Sequence, residues 1–434
     1  MSKKRCPSTM QTPAGIPDLK YIGSGYLFSS KEKDILRALA GQTAELAALP
    51  IEAEKAKLWK GHNDLKVKHP LVFIDPENGW NECIPQDVIQ CCDPLARVWE
   101  MLLRKQIYWA TVLKDDRPID RYFDVPYSFS DTGWGLDLAK HGGEGGGSYK
   151  VLQTLRNYEE DFPKIHYPKI VIDEHESAVV MDLAHSVFDG IMPVRRKQSW
   201  WWTLGMTWDY INMRDLQDFM CDFLWEQDWV HKTMELLTQG VLDKLDFLEE
   251  HGLLSSNADG TYVASGGFGY TDDLPAPETL EKVTTQDMWG FVDSQETVSV
   301  SPDTYGEFIF PYHKRIAERF GLNCYGCCEA YEPRFKYVKQ LPRLRRVSVS
   351  PWSDWSSVPE LLGEKYITSI KPTPAHLAIP NMDEDVVRRD IRNALTLTQG
   401  CFVELIMKDN NTLGKKPQHA ARWVEIAREE IARL

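Results

Sequence analysis

The chain reads as an α/β protein, a (β/α)8 TIM barrel behind an N-terminal helical extension, and three observations predict it. Short apolar or β-branched runs alternate with helical patterns. Eight such runs can be placed, which suits a closed parallel barrel better than an open sheet. Polar, ionisable clusters follow the later runs, at the strand ends where barrel enzymes keep their chemistry.

The extension is expected over residues 1–64, with the barrel over 65–434. Ser29 and Ser30 before Glu32 form a helix start signal, and an Ala/Leu/Glu/Lys-rich stretch runs on to Leu58. The expected strands are 71–74, 122–125, 202–206, 288–292, 322–325, 347–349, 366–370 and 402–407. Helical patterns over 213–250, 302–320 and 383–398 separate several of them. The Gly142–Gly147 stretch, broken by Glu144, reads as a flexible insertion, and the segment Asp259–Pro277 as a loop over the barrel mouth. There is no internal repeat or low-complexity tract.

Composition narrows the function classes. A chain of 434 residues with 43% hydrophobic content can bury a large core. Its net charge of −14 argues against a broad cationic face for nucleic acid or anionic lipid. The N-terminal Met-Ser-Lys-Lys-Arg leads into polar, Pro-rich sequence rather than an apolar stretch, and no run approaches a membrane span. Nine thinly spread cysteines fit a reducing compartment, so a cytoplasmic location is expected. The Trp200-Trp201-Trp202 run either lines a pocket or fills core.

The tetrad Gly326-Cys327-Cys328-Glu329 gathers two soft ligands and one hard one directly after the fifth strand. That set suits zinc, which takes Cys sulfur and carboxylate oxygen and keeps one position open when catalytic. Adjacent cysteines also occur as small buried hydrophobes, and Cys91-Cys92 is read that way. A dithiol redox role is the third reading of the tetrad.

Beyond the tetrad, clusters follow four other late strands: Asp293-Ser294-Gln295-Glu296, Ser350-Pro351-Trp352-Ser353-Asp354, Lys371-Pro372-Thr373-Pro374 and Lys408-Asp409-Asn410-Asn411-Thr412. Any one of these is a solvated turn or helix cap by default; five in succession mark a rim. Glu296, Lys371 and Lys408 are the candidates for orienting substrate or supplying a proton. Gln295, Trp352 and Asp354 are the candidate substrate contacts.

These residues, with Ser301-Pro302, Phe308-Ile309-Phe310-Pro311-Tyr312, Ser348-Val349-Ser350-Pro351-Trp352 and Glu404-Leu405-Ile406-Met407-Lys408-Asp409, give a chain that resembles the uroporphyrinogen decarboxylase superfamily. Within it the resemblance is to the corrinoid-linked methyltransferases. It covers the C-terminal half well and the first third loosely.

Two departures qualify it. The decarboxylases carry an arginine-rich motif near the first strand for a polycarboxylate, whereas here that strand runs Leu71-Val72-Phe73-Ile74-Asp75-Pro76-Glu77, an acidic end that would repel one. The zinc methyltransferases use His-x-Cys after the fifth strand and another Cys after the eighth. Here Cys328 matches the family cysteine, the His has no counterpart, and Lys408-Asp409 follows the eighth strand. Cys401 precedes that strand and is expected to be structural.

The resemblance implies a zinc-dependent methyltransferase moving a methyl group from a small methylated donor to a corrinoid carried on a separate protein, with a thiol or a pterin as the other acceptors left open. Zinc held by Cys328 and Glu329, with Cys327 and with Asp409 or Glu296 completing the shell, would act as a Lewis acid on the heteroatom bearing the methyl group. The abundance of Trp leans toward an aromatic donor. A homodimer is an open expectation. A metal-independent decarboxylase or lyase of a small acid, and a non-catalytic ligand-binding barrel, are the alternatives.

Overall fold

The structure is a computed structural model that describes residues 26–136, 139–142 and 149–434. Residues 143–147 of the glycine stretch lie outside the described residues. The ends that flank it, Ala139–Gly142 and Tyr149–Leu152, pair antiparallel.

Helix α1 (Ser30–Ala47) starts where the sequence signals it. The Ser29 hydroxyl accepts the Glu32 N–H, and the Glu32 carboxylate accepts the Ser29 N–H at 2.9 Å, a reciprocal capping box. Glu32 Oε1 also accepts the N–H groups of Cys92 and Asp93 at 2.8 Å, so the cap fastens the helix to a following segment. Helix α2 (Pro50–Asn63) opens on Pro50, whose missing N–H costs nothing at a first turn.

Six strands form one parallel sheet: β1 (Leu71–Ile74), β4 (Trp289–Val292), β5 (Leu322–Tyr325), β6 (Leu344–Val349), β7 (Ile367–Ile370) and β8 (Phe402–Met407), in the order β1-β8-β7-β6-β5-β4. Apart from the partly exposed Arg345, their residues are buried, as expected of a parallel sheet covered on both faces. Two shorter strands, β2 (Phe123–Val125) and β3 (Val194–Arg196), pair parallel in a ladder of their own.

Closure into an eight-stranded barrel is therefore not what the ladders show, and the sheet edges give the reason. On β1, Asp116 Oδ2 accepts the Val72 N–H at 2.7 Å and Asp115 Oδ2 the Ile74 N–H at 3.0 Å, so side chains saturate donors that a neighbouring strand would otherwise take. On β4, Asn257 bonds both the Trp289 N–H and C=O, and the Leu204 N–H donates to Phe291 O at 3.0 Å. The expected strand 202–206 is thus an irregular segment touching β4. A Cβ at Gly205 would lie 2.1 Å from Asp293 O, a closeness only glycine allows.

The helical patterns are divided more finely than expected. Residues 213–250 fall into helices ending at Arg214 and Trp225 and one spanning Gln227–Glu250, with Asp215 at φ +77° breaking the first. The 302–320 pattern splits into Pro302–Phe308 and Phe310–Ala317. The third pattern is one helix, Glu384–Leu397, capped by the Asp383 side chain.

The Asp259–Pro277 segment, expected as a loop over the mouth, brings Tyr262 within electrostatic reach of Lys408 and Asp409 at the strand ends. Its turn packs on the sheet face carrying Arg346, Ser348, Glu404 and Ile406. Ser265 Oγ lies 3.2 Å from Ser348 Oγ. A Cβ at Gly266 would come within 2.8 Å of Ile406, and Gly267 sits at φ +84° beside Arg346 and Glu404. Asn63 Nδ2 on α2 donates to Phe268 O and Tyr270 O at 2.7 Å. This face is polar at its centre. Arg346 pairs with Glu404 at 3.1 Å, Ser369 Oγ donates to Glu404 at 2.5 Å, and Lys371 Nζ donates to Ser369 Oγ at 2.6 Å.

Candidate active site at the carboxyl ends of the strands

The tetrad turns sharply because Gly326 adopts φ +88°, which spares the chain a side chain there. Cys327 is buried and Cys328 half-buried, with their sulfurs 3.7 Å apart. Glu329 faces inward. Its Oε2 accepts the Cys327 N–H at 2.8 Å and its Oε1 the Ser294 N–H at 2.9 Å. The carboxylate is a clasp between the β5 and β4 loops, and both oxygens are committed to backbone. Arg334 secures the same β4 loop, donating to the carbonyls of Ser294 and Thr297.

Residues following β8 and β7 reach this pair. Lys408 Nζ lies 3.8 Å from Cys327 Sγ and 3.0 Å from Asp409 Oδ1, and Cys328 Sγ lies 4.0 Å from Asp409 Oδ2. Lys371 is buried within the electrostatic reach of Cys327 and Lys408, and burial pushes its ammonium down to about 8. Burial alone would lower the Lys408 ammonium, but the acidic groups around it, Cys327, Asp409, Tyr262 and Glu77, together raise it. The two thiols share a proton. Hydrogen bonding to Cys328, then burial, pushes Cys327 up, and the bond from Cys327 lowers Cys328. Of the two thiols, Cys328 is the more readily ionised.

Across from the lysines, Asp293 follows β4. Thr203 Oγ1 donates to its Oδ1 at 2.5 Å, while Oδ2 is buried without a partner. Burial first, then the neighbouring acidic groups Glu329, Glu296 and Cys327, raises this carboxyl well above the usual range. Asp293 stood in the sequence cluster but was not singled out. The signal was its register, since it continues the alternation of Trp289 and Phe291 onto the same face.

Glu296 is raised chiefly by burial, bonds Thr207 Oγ1 at 2.7 Å and pairs with Gln295, which places both on the β4 side near Asp293. The structure does not bring Trp352 and Asp354 to the thiols. Trp352 is largely exposed, and Asp354 Oδ1 caps a short helix by accepting the Ser356 N–H at 3.0 Å. Cys401 is buried before β8, Cys91 is buried and Cys92 exposed. Of the Trp run, Trp200 stacks on Tyr127 and donates to Leu253 O at 3.0 Å, which is core packing.

Among the described residues no three His, Cys, Asp or Glu side chains are already gathered as a metal shell. The donors nearest to one are Cys327, Cys328 and Asp409. Two thiolates bound to one tetrahedral zinc at about 2.3 Å stand roughly 3.8 Å apart, and the two sulfurs here are 3.7 Å apart. The Lys408 ammonium now lies against Cys327 and Asp409. Each Glu329 oxygen already accepts one backbone N–H.

No family model matches the chain, and no curated protein is similar to it. A solved structure of a methyltransferase from Methanosarcina mazei superposes with a TM-score of 0.46 at 11% sequence identity, over 87% of this chain and 98% of that one. No described helix is long and apolar enough to cross a membrane.

Proposed function

We propose that the chain is a methyltransferase whose reacting centre is the Cys327–Cys328 pair, loaded with zinc and working with a corrinoid protein as acceptor. The observation that carries this is the spacing of the two sulfurs, which matches what one zinc spans, with the Asp409 carboxylate beside them. Cys327, Cys328 and Asp409 are the proposed ligands, Asp409 turning away from Lys408 to complete the set. When bound, zinc would supply Lewis acidity to the oxygen, nitrogen or sulfur bearing the methyl group.

The chain's own residues do the rest. Lys371, with its ammonium brought down to about 8, can hold or release a proton beside the leaving heteroatom. Lys408 balances thiolate charge. Glu329 and Arg334 keep the β4 and β5 loops in register and so fix the position of the thiols.

One observation favours a second reading. Asp293 is a buried carboxyl, its proton affinity raised by burial, with an unpartnered oxygen and within electrostatic reach of Cys327, an arrangement suited to protonating a carbanion left by decarboxylation. Methoxylated aromatic, methylamine and methyl thioether donors offered with zinc and a corrinoid protein in the cobalt(I) state separate the two. Methyl transfer should appear in the corrinoid spectrum and fall at least about 100-fold in Cys328→Ala. Failure with every donor, joined to metal-independent release of carbon dioxide from a carboxylated substrate, would establish the lyase.

A further inference from the structure

Arg117 follows the two aspartates that saturate the edge of β1. Its guanidinium lies 4.0 Å from the Trp109 ring and 5.3 Å from the Phe268 ring, which fixes its plane. Among the described residues it donates no hydrogen bond, and its Nε is sealed from solvent. Carboxylates are near, but none among the described residues accepts a hydrogen bond from the guanidinium. Asp75 Oδ1 takes both the Glu77 N–H and the Trp80 indole, with Asp75 acting on Arg117 by charge alone, and Asp115 accepts from the Ile74 and Arg117 N–H groups. Asp120 is paired with Arg195 at 2.8 Å.

Arg117 lines a cavity of about 80 Å³, together with Lys105, Lys197, Phe123, Met192 and Trp109. Lys197 is neutralised by Asp259 at 2.6 Å, and Asp124, also on the wall, by Arg195 at 2.5 Å. Asp120, Tyr122 and Gly260 belong both to this cavity and to a wide groove of about 1070 Å³, which gives access from solvent.

We infer that this cavity is a binding site for a small carboxylate, held by the Arg117 fork. A guanidinium fixed between rings and lacking an acceptor is costly to leave unpaired, and its parallel N–H groups match a carboxylate edge. The apolar wall of Phe123 and Met192 takes a short hydrocarbon part. The volume admits only a handful of heavy atoms, since a water needs roughly 10–15 Å³ on the same measure. The site lies apart from the thiol pair and stands whether or not the chain transfers methyl groups.

Titration of the full chain with propionate, followed by saturation-transfer NMR and calorimetry, tests this. Propionate should bind saturably, with propionamide and sulfate at least tenfold weaker. Arg117→Met should weaken propionate at least tenfold while circular dichroism stays native. Met192→Phe, which fills the cavity and leaves Arg117 in place, should do the same and serves if the first variant does not fold. Absence of saturable propionate binding to the wild-type chain overturns the inference. So does binding that survives either folded variant, or sulfate binding as tight as propionate.

Discussion

Glu329 Oε1 accepts the backbone N–H of Ser294 at 2.9 Å, a bond that joins the loop after β5 to the loop after β4. With its other oxygen on the Cys327 N–H, the carboxylate supports the thiol pair from both loops. Glu329→Gln offers one acceptor where two are used and turns an amide N–H₂ toward a backbone donor. It should destabilise the fold by about 1–3 kcal/mol, the usual cost of a buried unsatisfied group, read from urea unfolding. Its zinc content should be that of the wild type. A variant of full stability that has lost zinc would return Glu329 to the metal shell.

Lys371 gives a pH signature. Its folded-state value, about 8, is below that of a free lysine because the charged form is buried. Between there and about 10.4 the unfolded chain binds more protons than the folded one, so this residue's contribution to stability rises with pH across that window. Below it, the buried charge is a full liability. Lys371→Met should therefore be more stable relative to wild type at pH 7 than at pH 10, by up to about 3 kcal/mol. Parallel stability curves for the two proteins from pH 7 to 10 would show that the ammonium is not buried.

Gly267 tests the placing of the 259–277 segment on the sheet. At φ +84°, with a would-be Cβ 2.7 Å from Arg346 Nη2, Gly267→Ala should cost about 1–3 kcal/mol in thermal or urea unfolding. An unchanged midpoint would mean that the turn does not pack against Arg346 and Glu404.

What the sequence made legible follows local physics. The Ser29–Glu32 box and the apolar strands 71–74, 322–325 and 402–407 are short-range patterns, and the structure has them. Strand 202–206 failed because an apolar Trp-rich run resembles a strand, while Gly205 is there for its closeness to Asp293. Val194–Arg196 escaped notice because a three-residue strand with two arginines shows no alternation. The late strand ends were visible as polar clusters, but which members meet was not. Asp293 and Glu329 differ from Trp352 and Asp354 only in burial and partners, which depend on loops brought together from distant parts of the chain.

The proposed methyl transfer depends on zinc held by Cys327 and Cys328. X-ray absorption at the zinc edge, on protein purified without chelator, reads that shell directly. It should show about one zinc per chain with two sulfurs near about 2.3 Å and oxygen at about 2.0–2.2 Å, and Cys328→Ala should lose the metal. Protein that takes up no zinc, or zinc with no sulfur in its shell, would contradict the account.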